Sequence, residues 1–498
     1  MIVNTTNGPV RGGSTETGHV FRSIPYAAGP RGTERFQAPA PHPGWTAVRD
    51  ATRHGPTAPQ PDRSRFGGLD MTPYFGPGWV RGDEYLTIDV HTPRDTSVPV
   101  PVMAFVHGGG FLGGSTQASL YEGSTFARDG IMYVGINYRL GAAGFMKLDD
   151  APNNRGMLDV VAALRWIQGN AARFGGDPNN VTVCGQSAGA ILVGALLADP
   201  TAVGLFHRAI LQSGSGSGAF SPDQATVVSD ALSSRLGRNA TALDLAKVND
   251  EQLVEAVSAL GALDLQTPDA FDPLGGITPF SVVLSEQPWI AISAGRGPQV
   301  DLLIGANTEE AALYLAPVGR LQHVDRQDVL AAAARFHRHP KELVEAYAAD
   351  LPSANDAELL TAVLGDGMFG IGTERMARAH AADPRTKTFR YEFDWRSRAL
   401  DGRLGSAHTI ELPFVFDVAN RDHFCGPDSI LGPVKASADL GQRTHRSWVD
   451  FVKSGDPGWP SVSDSSGLVQ RIGDICELRA PTRPTAVRTW IPHDPLRP

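Results

Sequence analysis

Short apolar runs recur along the chain, and each ends in glycine or polar residues. Four of them span residues 100–106, 131–136, 181–184 and 302–304. Runs of this length without alternation predict strands that are buried on both faces of a mainly parallel sheet. Between the second and third runs, apolar residues recur at helical spacing: Leu158, Val161, Leu164 and Ile167. Strand, helix, strand is the βαβ unit, so the pattern predicts the α/β fold class.

Two later segments break this rhythm. Residues 222–270 and 320–385 are rich in Ala and Leu and have a helical pattern, which predicts helical insertions around a site. Residues 27–81 are rich in Pro, Gly and Arg and predict a long irregular excursion. The sequence has neither an internal repeat nor a low-complexity linker. We therefore expect residues 1–498 to form a single domain with a central, mostly parallel sheet flanked by helices.

Composition narrows the classes of function. With 42% apolar and 19% charged residues, the 498-residue chain is typical of a globular protein with a large core. The formal charge of −9 and a pI near 5.9 argue against a nucleic-acid partner. The sequence lacks an apolar run long enough for a membrane span, and its first residues do not resemble a signal peptide. We expect a small-molecule substrate and a monomer or weak oligomer.

Three cysteines, Cys184, Cys425 and Cys476, lie far apart without a C-x-x-C pair. This spacing argues against a zinc site or a disulfide framework and favours free thiols in a reducing cytoplasm. Cys184 is expected to be a core residue.

The segment from Gly185 to Gly189 reads G-x-S-x-G between a predicted strand and a predicted helix. A serine at such a sharp turn holds its Oγ at the top of the sheet, and the flanking glycines avoid clashes with neighbouring backbone. The helix that follows directs its amide-rich N-terminus at the site. Ser187 is therefore the candidate nucleophile.

A second glycine-rich motif, His107-Gly-Gly-Gly-Phe111, follows the strand at residues 100–106. Acyl transfer needs N–H donors where negative charge develops on oxygen, and consecutive glycines allow the backbone to approach the substrate. Gly109, Gly110 and Ala188, the residue after the nucleophile, are the candidate oxyanion-hole donors. His107 precedes this loop and is expected to orient it.

The motifs together resemble the type-B carboxylesterases, the family of bacterial para-nitrobenzyl esterases, animal carboxylesterases and cholinesterases. The resemblance covers nearly the whole chain and follows the family's order. It rests on these segments: Phe21–Ala27, Arg35–Pro39, Asp83–Val90, His107–Phe111, Asn137–Gly141, Asn154–Asp159, Phe174–Gly189, Gln212–Gly214 and Gly455–Pro460. It implies the α/β-hydrolase fold and a serine esterase without metal or organic cofactor.

The resemblance also implies the rest of a catalytic triad. The family's acid lies in G-x-N-x-[DE]-E, here Gly305–Glu310, so Glu310 is the acid and its neighbour Glu309 the second choice. The family's base lies in G-x-x-H-x-x-E-L-P, here Gly405–Pro413, so His408 is the base. Ser213 is a supporting residue. The other histidines, such as His337 and His339, are expected at the surface.

The chain departs from the family at several positions. Ala58 and Tyr85 replace the two cysteines that bridge a loop in relatives, which agrees with a cytoplasmic location. Without that bridge, we expect the loop to be mobile and the substrate range to be broad. Ser23 stands where the family has Gly, and a Pro-Val-Val-Asp-Gly motif is reduced to residues 280–285.

The resemblance further pairs Arg35 with Asp83 and Arg139 with Asp159, as two ion pairs that fix the N-terminal excursion. The expected activity is hydrolysis of short-to-medium acyl esters through a Ser-His-Glu triad and a covalent acyl-enzyme. Two alternatives remain at this point. They are an acyltransferase with the same triad and a non-catalytic, cholinesterase-like binding module.

Overall fold

A computed structural model describes residues 1–214, 216–261, 263–465 and 467–491. The strands are β1 Ile2–Asn4, β2 Pro9–Arg11, β3 Gly13–Ser14, β4 Gly18–Pro25, β5 Arg49–Asp50, β6 Arg65–Phe66, β7 Leu69–Asp70, β8 Thr87–Pro93, β9 Val100–Val106, β10 Met132–Ile136, β11 Gly176–Gln186, β12 Arg208–Gln212, β13 Asp301–Asn307, β14 Thr388–Phe393, β15 Val469–Ile472 and β16 Glu477–Arg479. All four predicted strands are present.

The α-helices are α1 Thr72–Phe75, α2 Ser124–Arg128, α3 Gly141–Phe145, α4 Arg155–Asn170, α5 Ala188–Leu196, α6 Pro222–Leu236, α7 Ala242–Leu245, α8 Asp250–Ser258, α9 Pro288–Ser293, α10 Ala312–Leu315, α11 Arg326–Ala334, α12 Pro340–Asp350, α13 Asp356–Gly365, α14 Ile371–Ala381, α15 Leu412–Val415, α16 Ala438–Ser454 and α17 Pro484–Trp490. Short 3-10 helices span Gly32–Phe36, Ser119–Tyr121, Ala171–Phe174, Pro200–Ala202, Ala399–Gly402 and Asp422–Phe424. A π-helix, Asp366–Gly370, joins α13 to α14. Within the described residues, no helix is long and apolar enough to cross a membrane.

The large sheet has the strand order β16-β15-β14-β13-β12-β11-β9-β10-β8-β4-β3. Neighbours from β15 through to β10 pair in parallel, whereas both outer parts of the sheet pair antiparallel. The predicted α/β-hydrolase architecture, a mostly parallel central sheet flanked by helices, is confirmed.

The middle residues of the central strands are mostly apolar because both faces of the sheet are covered. Along β12, Ala209 and Leu211 belong to one apolar cluster, whereas Ile210 between them belongs to a second cluster on the opposite face. Cys184 of β11 is fully buried in that second cluster, and all three cysteines are free thiols. Burial raises the pKa of the Cys184 thiol, so this residue has the core role expected of it.

The two segments predicted as insertions are largely helical. The first carries α6, α7 and α8, and the second carries α11 to α14. A third apolar cluster lies under the second segment, and Ala486 and Trp490 of α17 complete it. His337 is buried against Trp490, at 5.5 Å between ring centroids, so its predicted surface position is wrong, whereas His339 is exposed as predicted.

Of the two predicted ion pairs, one is present. Arg139 and Asp159 meet at 2.7 Å with both side chains fully buried, and Arg139 also donates to the carbonyl of Arg35. The pairing of Arg35 with Asp83 is wrong, because Arg35 contacts Asp250 of α8. Asp83 instead meets Arg31 at 2.8 Å, at the surface.

Ser23 adopts a backbone conformation that is strained for a residue with a side chain. Its φ of 51° lies in the left-handed region that glycine adopts most easily. Ser23 N donates to Asp89 Oδ1 at 2.6 Å, and its Oγ accepts from Gly55 N at 2.7 Å. These hydrogen bonds stabilise a strained serine at an irregular point of β4, where the pairing with β8 shifts register.

Candidate active site

The predicted site residues converge because they follow neighbouring parallel strands. His107–Gly110 follow β9, Ser187 follows β11, Ser213 follows β12, Glu310 follows β13 and His408 follows β14. The carboxyl ends of these strands lie at one edge of the sheet, which is where α/β folds bind their ligands.

Ser187 lies on a strained turn between β11 and α5. Its φ of 55° and ψ of −125° are unusual for a residue with a side chain. This turn requires glycine at positions 185 and 189, because a side chain at either position would collide with neighbouring backbone. A Cβ on Gly185 would lie 2.4 Å from Gly189 O, and a Cβ on Gly189 would lie 2.0 Å from Val106 O. This packing holds the serine hydroxyl at the end of the sheet.

Ser187, His408 and Glu310 form one hydrogen-bonded chain. His408 Nε2 lies 2.8 Å from Ser187 Oγ, and His408 Nδ1 lies 2.5 Å from Glu310 Oε2. Because a carboxylate only accepts, Nδ1 carries the proton and leaves Nε2 of the neutral ring as the acceptor for the serine proton. All three side chains are buried. The arrangement suits nucleophilic attack by the serine oxygen.

Two donors fix the position of the Glu310 carboxylate. Ser213 Oγ donates to Glu310 Oε1 at 2.5 Å, and Asn307 N donates to the same oxygen at 2.7 Å. Both act on the oxygen that does not face His408. Ser213, predicted as a supporting residue, thus contacts the Glu310 carboxylate directly.

Glu309 faces away from His408. Its Oε2 accepts from Ser406 N at 2.8 Å and from Arg396 Nη1 at 2.5 Å. The geometry therefore favours Glu310 over Glu309 as the partner of the imidazole. Glu309 instead holds the segment that leads to His408.

The glycine loop packs directly against Ser187, since a Cβ on Gly108 would lie 3.0 Å from Ser187 Cβ. Gly109 and Gly110 have φ values of 108° and 63°, which glycine adopts readily. Among the described residues, none accepts a hydrogen bond from the amides of Gly109, Gly110 or Ala188. These amides are therefore available to a ligand oxygen.

His107 contacts the loop that follows it. Its Nδ1 donates to Gly108 O at 2.9 Å, and its ring stacks on Tyr138 at 4.6 Å. A trans peptide places its C=O and N–H on opposite sides, so this bond fixes the direction of the Gly109 amide. Burial lowers the pKa of His107 to about 4, so its ring is neutral near neutral pH.

Several site residues were missed by the sequence interpretation. Phe369 of the π-helix stacks on the His408 ring at 4.4 Å, and Tyr314 lies 5.7 Å from the same ring. Arg63 donates to Gly109 O at 2.7 Å. Neither the aromatic residues nor Arg63 belongs to a motif, so the sequence carried no signal for them.

Glu411 was visible in the H-x-x-E-L-P motif, but it received no role. It is fully buried and accepts from Asn307 Nδ2 at 2.8 Å and from Gln212 Nε2 at 3.3 Å. Burial, together with the charge of Glu310, raises the pKa of Glu411 to about 7. A second carboxyl group thus lies behind Glu310 and His408, and among the described residues it forms no ion pair with Lys or Arg.

Comparison with known proteins places this geometry in context. The sequence profile of the carboxylesterase family matches residues 1–486. The phenmedipham hydrolase of Pseudarthrobacter oxydans is 35% identical over 490 residues, covering 95% of each chain. The para-nitrobenzyl esterase of Bacillus subtilis (strain 168) is 34% identical over 484 residues, covering 94% of this chain and 93% of its own.

A third relative, the fumonisin B1 esterase of Sphingopyxis macrogoltabida, is 32% identical over 478 residues and covers 92% of this chain and 82% of its own. Solved structures of esterases also resemble this chain. A thermophilic PNB esterase superposes with a TM-score of 0.81 at 32% identity, covering 96% of this chain and 97% of its own. A carboxylesterase of Geobacillus stearothermophilus gives a TM-score of 0.81 at 29% identity with the same coverage.

Proposed function

This chain belongs to the carboxylesterase family, and we propose that it hydrolyses carboxylic esters through Ser187, His408, Glu310 and a covalent acyl-enzyme. The observation that carries the proposal is the unbroken hydrogen-bonded chain from Ser187 Oγ through His408 to Glu310, at 2.8 Å and 2.5 Å.

In the first half of the reaction, Ser187 Oγ attacks the ester carbonyl carbon while His408 Nε2 accepts the hydroxyl proton. The carbonyl oxygen gains negative charge, which the amides of Gly109, Gly110 and Ala188 stabilise. His408 then donates its proton to the departing alcohol oxygen, and the ester C–O bond breaks. The acyl group remains on Ser187.

In the second half, a water molecule gives a proton to His408 Nε2 and attacks the acyl carbon. The tetrahedral intermediate collapses, the proton returns to Ser187 Oγ, and the carboxylic acid leaves. Throughout, Glu310 keeps the imidazole in one tautomer and stabilises its protonated form. Ser213 and Asn307 hold that carboxylate in place.

We further propose a broad substrate range with short-to-medium acyl chains. The loop between Ala58 and Tyr85 lacks the family's cross-link. It contacts the glycine loop through Arg63, and Gly114 just after that loop through Gln60. The relatives reported above are named for three different compounds, namely phenmedipham, para-nitrobenzyl esters and fumonisin B1. Those names support a varied substrate range on this scaffold.

A matched set of carboxyl-to-amide variants tests the triad. Glu310→Gln should lower kcat by several orders of magnitude while the melting temperature changes little, because the imidazole loses its orienting charge. Glu309→Gln should keep most of the activity. The assignment is wrong if Glu309→Gln abolishes turnover and Glu310→Gln does not.

The substrate proposal is tested with para-nitrophenyl esters of graded acyl length. We expect kcat/KM to be highest for short and medium chains and to fall for long ones. Product analysis with added alcohol should give mainly the free acid. If the new ester formed with the added alcohol exceeds the free acid, the main reaction is acyl transfer and the hydrolysis proposal is wrong.

A further inference from the structure

The guanidinium of Arg63 lies in the active-site region, beside the glycine loop. Its Nη1 donates to Gly109 O at 2.7 Å, and its Cζ lies 4.9 Å from the centre of the Phe75 ring. Within the part of the chain that the structure describes, Arg63 forms no ion pair. Arg65, two residues later, is exposed and pairs with Asp428 at 3.2 Å.

This unpaired charge is mostly removed from water. The Arg63 side chain is only partly exposed, and burial lowers its pKa. A guanidinium has five N–H donors, and the bond to Gly109 uses one of them. Burying a charge without a counter-charge costs free energy, so an anion that approaches Arg63 from outside the chain would offset part of that cost.

The place of Arg63 connects it to the reacting atoms. Gly109 belongs to the glycine loop that packs against Ser187. Tyr314, whose ring packs 5.7 Å from that of His408, lies close enough for the Arg63 charge to act on its pKa. Burial is the main cause that raises the pKa of Tyr314, so its hydroxyl stays protonated and can donate.

We propose that Arg63 forms a subsite for an anionic group of the ester, so that esters carrying a second carboxylate are preferred substrates. The inference rests on the proposed function, because it names a substrate class for that same site. A planar guanidinium fits a carboxylate through two parallel hydrogen bonds, which a lysine cannot reproduce. The carboxylate can belong to the acyl part or to the alcohol part of the ester.

The bond to Gly109 alone would give Arg63 only a holding role in the glycine loop. The two roles differ in their selectivity. A damaged loop lowers the turnover of every ester alike, whereas a lost anion subsite raises KM for anionic esters alone. The ratio of kcat/KM between an anionic and a neutral ester therefore separates them.

The acyl-side probes are para-nitrophenyl hydrogen adipate and para-nitrophenyl hexanoate, which share the leaving group and the chain length. The alcohol-side probes are meta-carboxyphenyl hexanoate and phenyl hexanoate. We expect Arg63→Gln to lower the anionic-to-neutral ratio by about tenfold or more for one of these pairs, mainly through KM, as expected for the loss of a charge-assisted hydrogen bond. Arg63→Lys should restore only part of the ratio.

Arg65→Gln is the matched control, since it removes the same charge from the same loop at an exposed position. It should leave both ratios unchanged. If Arg63→Gln and Arg65→Gln change the ratios equally, or if Arg63→Gln changes neither ratio, the subsite is disproved.

Calorimetric binding of free adipate separates this inference from the proposed function. Wild type should bind adipate, and Arg63→Gln should bind it at least about tenfold more weakly. Arg63-dependent binding in a protein that hydrolyses no ester would support the subsite and contradict the esterase proposal. If the protein hydrolyses neutral esters, but neither adipate binding nor the anionic-to-neutral ratio of kcat/KM depends on Arg63, the esterase proposal is supported and the subsite is contradicted.

Discussion

Phe369 lies almost parallel to the imidazole of His408, with ring centroids 4.4 Å apart and planes inclined by 22°. Phe369 belongs to the π-helix Asp366–Gly370, a rare backbone form that often occurs at functional sites. Asp366 anchors this turn through Arg483, whose Nε and Nη2 donate to its carboxylate at 2.7 Å. The His408 ring is thus held by stacking as well as by hydrogen bonds.

Phe369→Leu should therefore lower kcat by about tenfold with little change in KM, because a base displaced by a fraction of an ångström transfers the proton less efficiently. Phe389→Leu is the control. Phe389 is buried in β14 against Phe451, away from His408, and should lose stability without that loss of kcat. If the two variants have equal kcat values, the stacking of Phe369 on His408 does not contribute to turnover.

The glycine loop offers a comparison of two neighbouring positions. A Cβ on Gly109 would lie 2.0 Å from Gly113 O, whereas a Cβ on Gly110 would meet its nearest atoms at 3.7 Å. Gly109→Ala should lower kcat by about 10²-fold or more, as the loss of an oxyanion donor does. Gly110→Ala should cost only about 1–2 kcal/mol of stability from its positive φ. Steady-state kinetics and melting temperatures of both variants test this order, and a milder effect at Gly109 would contradict it.

The Arg139–Asp159 pair should dominate the attachment of the N-terminal excursion. Asp159→Asn leaves a fully buried guanidinium without its counter-charge and should lower the free energy of unfolding by about 3–5 kcal/mol. Asp83→Asn makes the same change in the exposed pair with Arg31 and should cost less than about 1 kcal/mol. Denaturant unfolding of both variants measures the difference, and similar losses would show that the buried pair has no special role.

Glu411 should make stability depend on pH. Its pKa rises from 4.5 to about 7 on folding, so between these values the folded state holds a proton that the unfolded state has lost. The free energy of unfolding therefore falls as pH rises through this window, by at most about 3 kcal/mol. Glu411→Gln removes this dependence on pH. The melting temperature of the variant, relative to that of wild type, should therefore rise as the pH increases from about 5 to about 8.

Glu16→Gln, at an exposed position, gives the control for this pH series. Its melting temperature should follow that of wild type at every pH. If the Glu411→Gln and wild-type curves also run parallel, Glu411 does not titrate in this range.

The sequence predicted the elements whose signals are local. Apolar runs identified β9, β10, β11 and β13, and the motifs around Ser187, Glu310 and His408 identified residues that the fold brings within hydrogen-bond distance. The glycines of these motifs are tied to backbone positions that tolerate no Cβ, so their pattern is strict. Such constraints act on residues that are adjacent in the sequence, so they can be recognised from the sequence alone.

The errors concern contacts between distant segments. Arg35 pairs with Asp250, which lies 215 residues away on a helix of the first insertion. The residues around Arg35 and Asp250 form no pattern that predicts this ion pair. His337 is buried by Trp490 from the end of the described chain. Phe369 and Arg63 reach the site from the second insertion and the irregular excursion, where side-chain positions depend on tertiary packing.

Covalent labelling tests the central claim, that Ser187 is the nucleophile, most directly. The protein is treated with a phosphonylating inhibitor, and the intact mass and the peptide masses are measured beside residual esterase activity. The account predicts one adduct per chain, located on the peptide that contains Ser187, with activity falling in proportion to labelling and no adduct on Ser187→Ala. A stoichiometric adduct on another residue, or full esterase activity in Ser187→Ala, would contradict it.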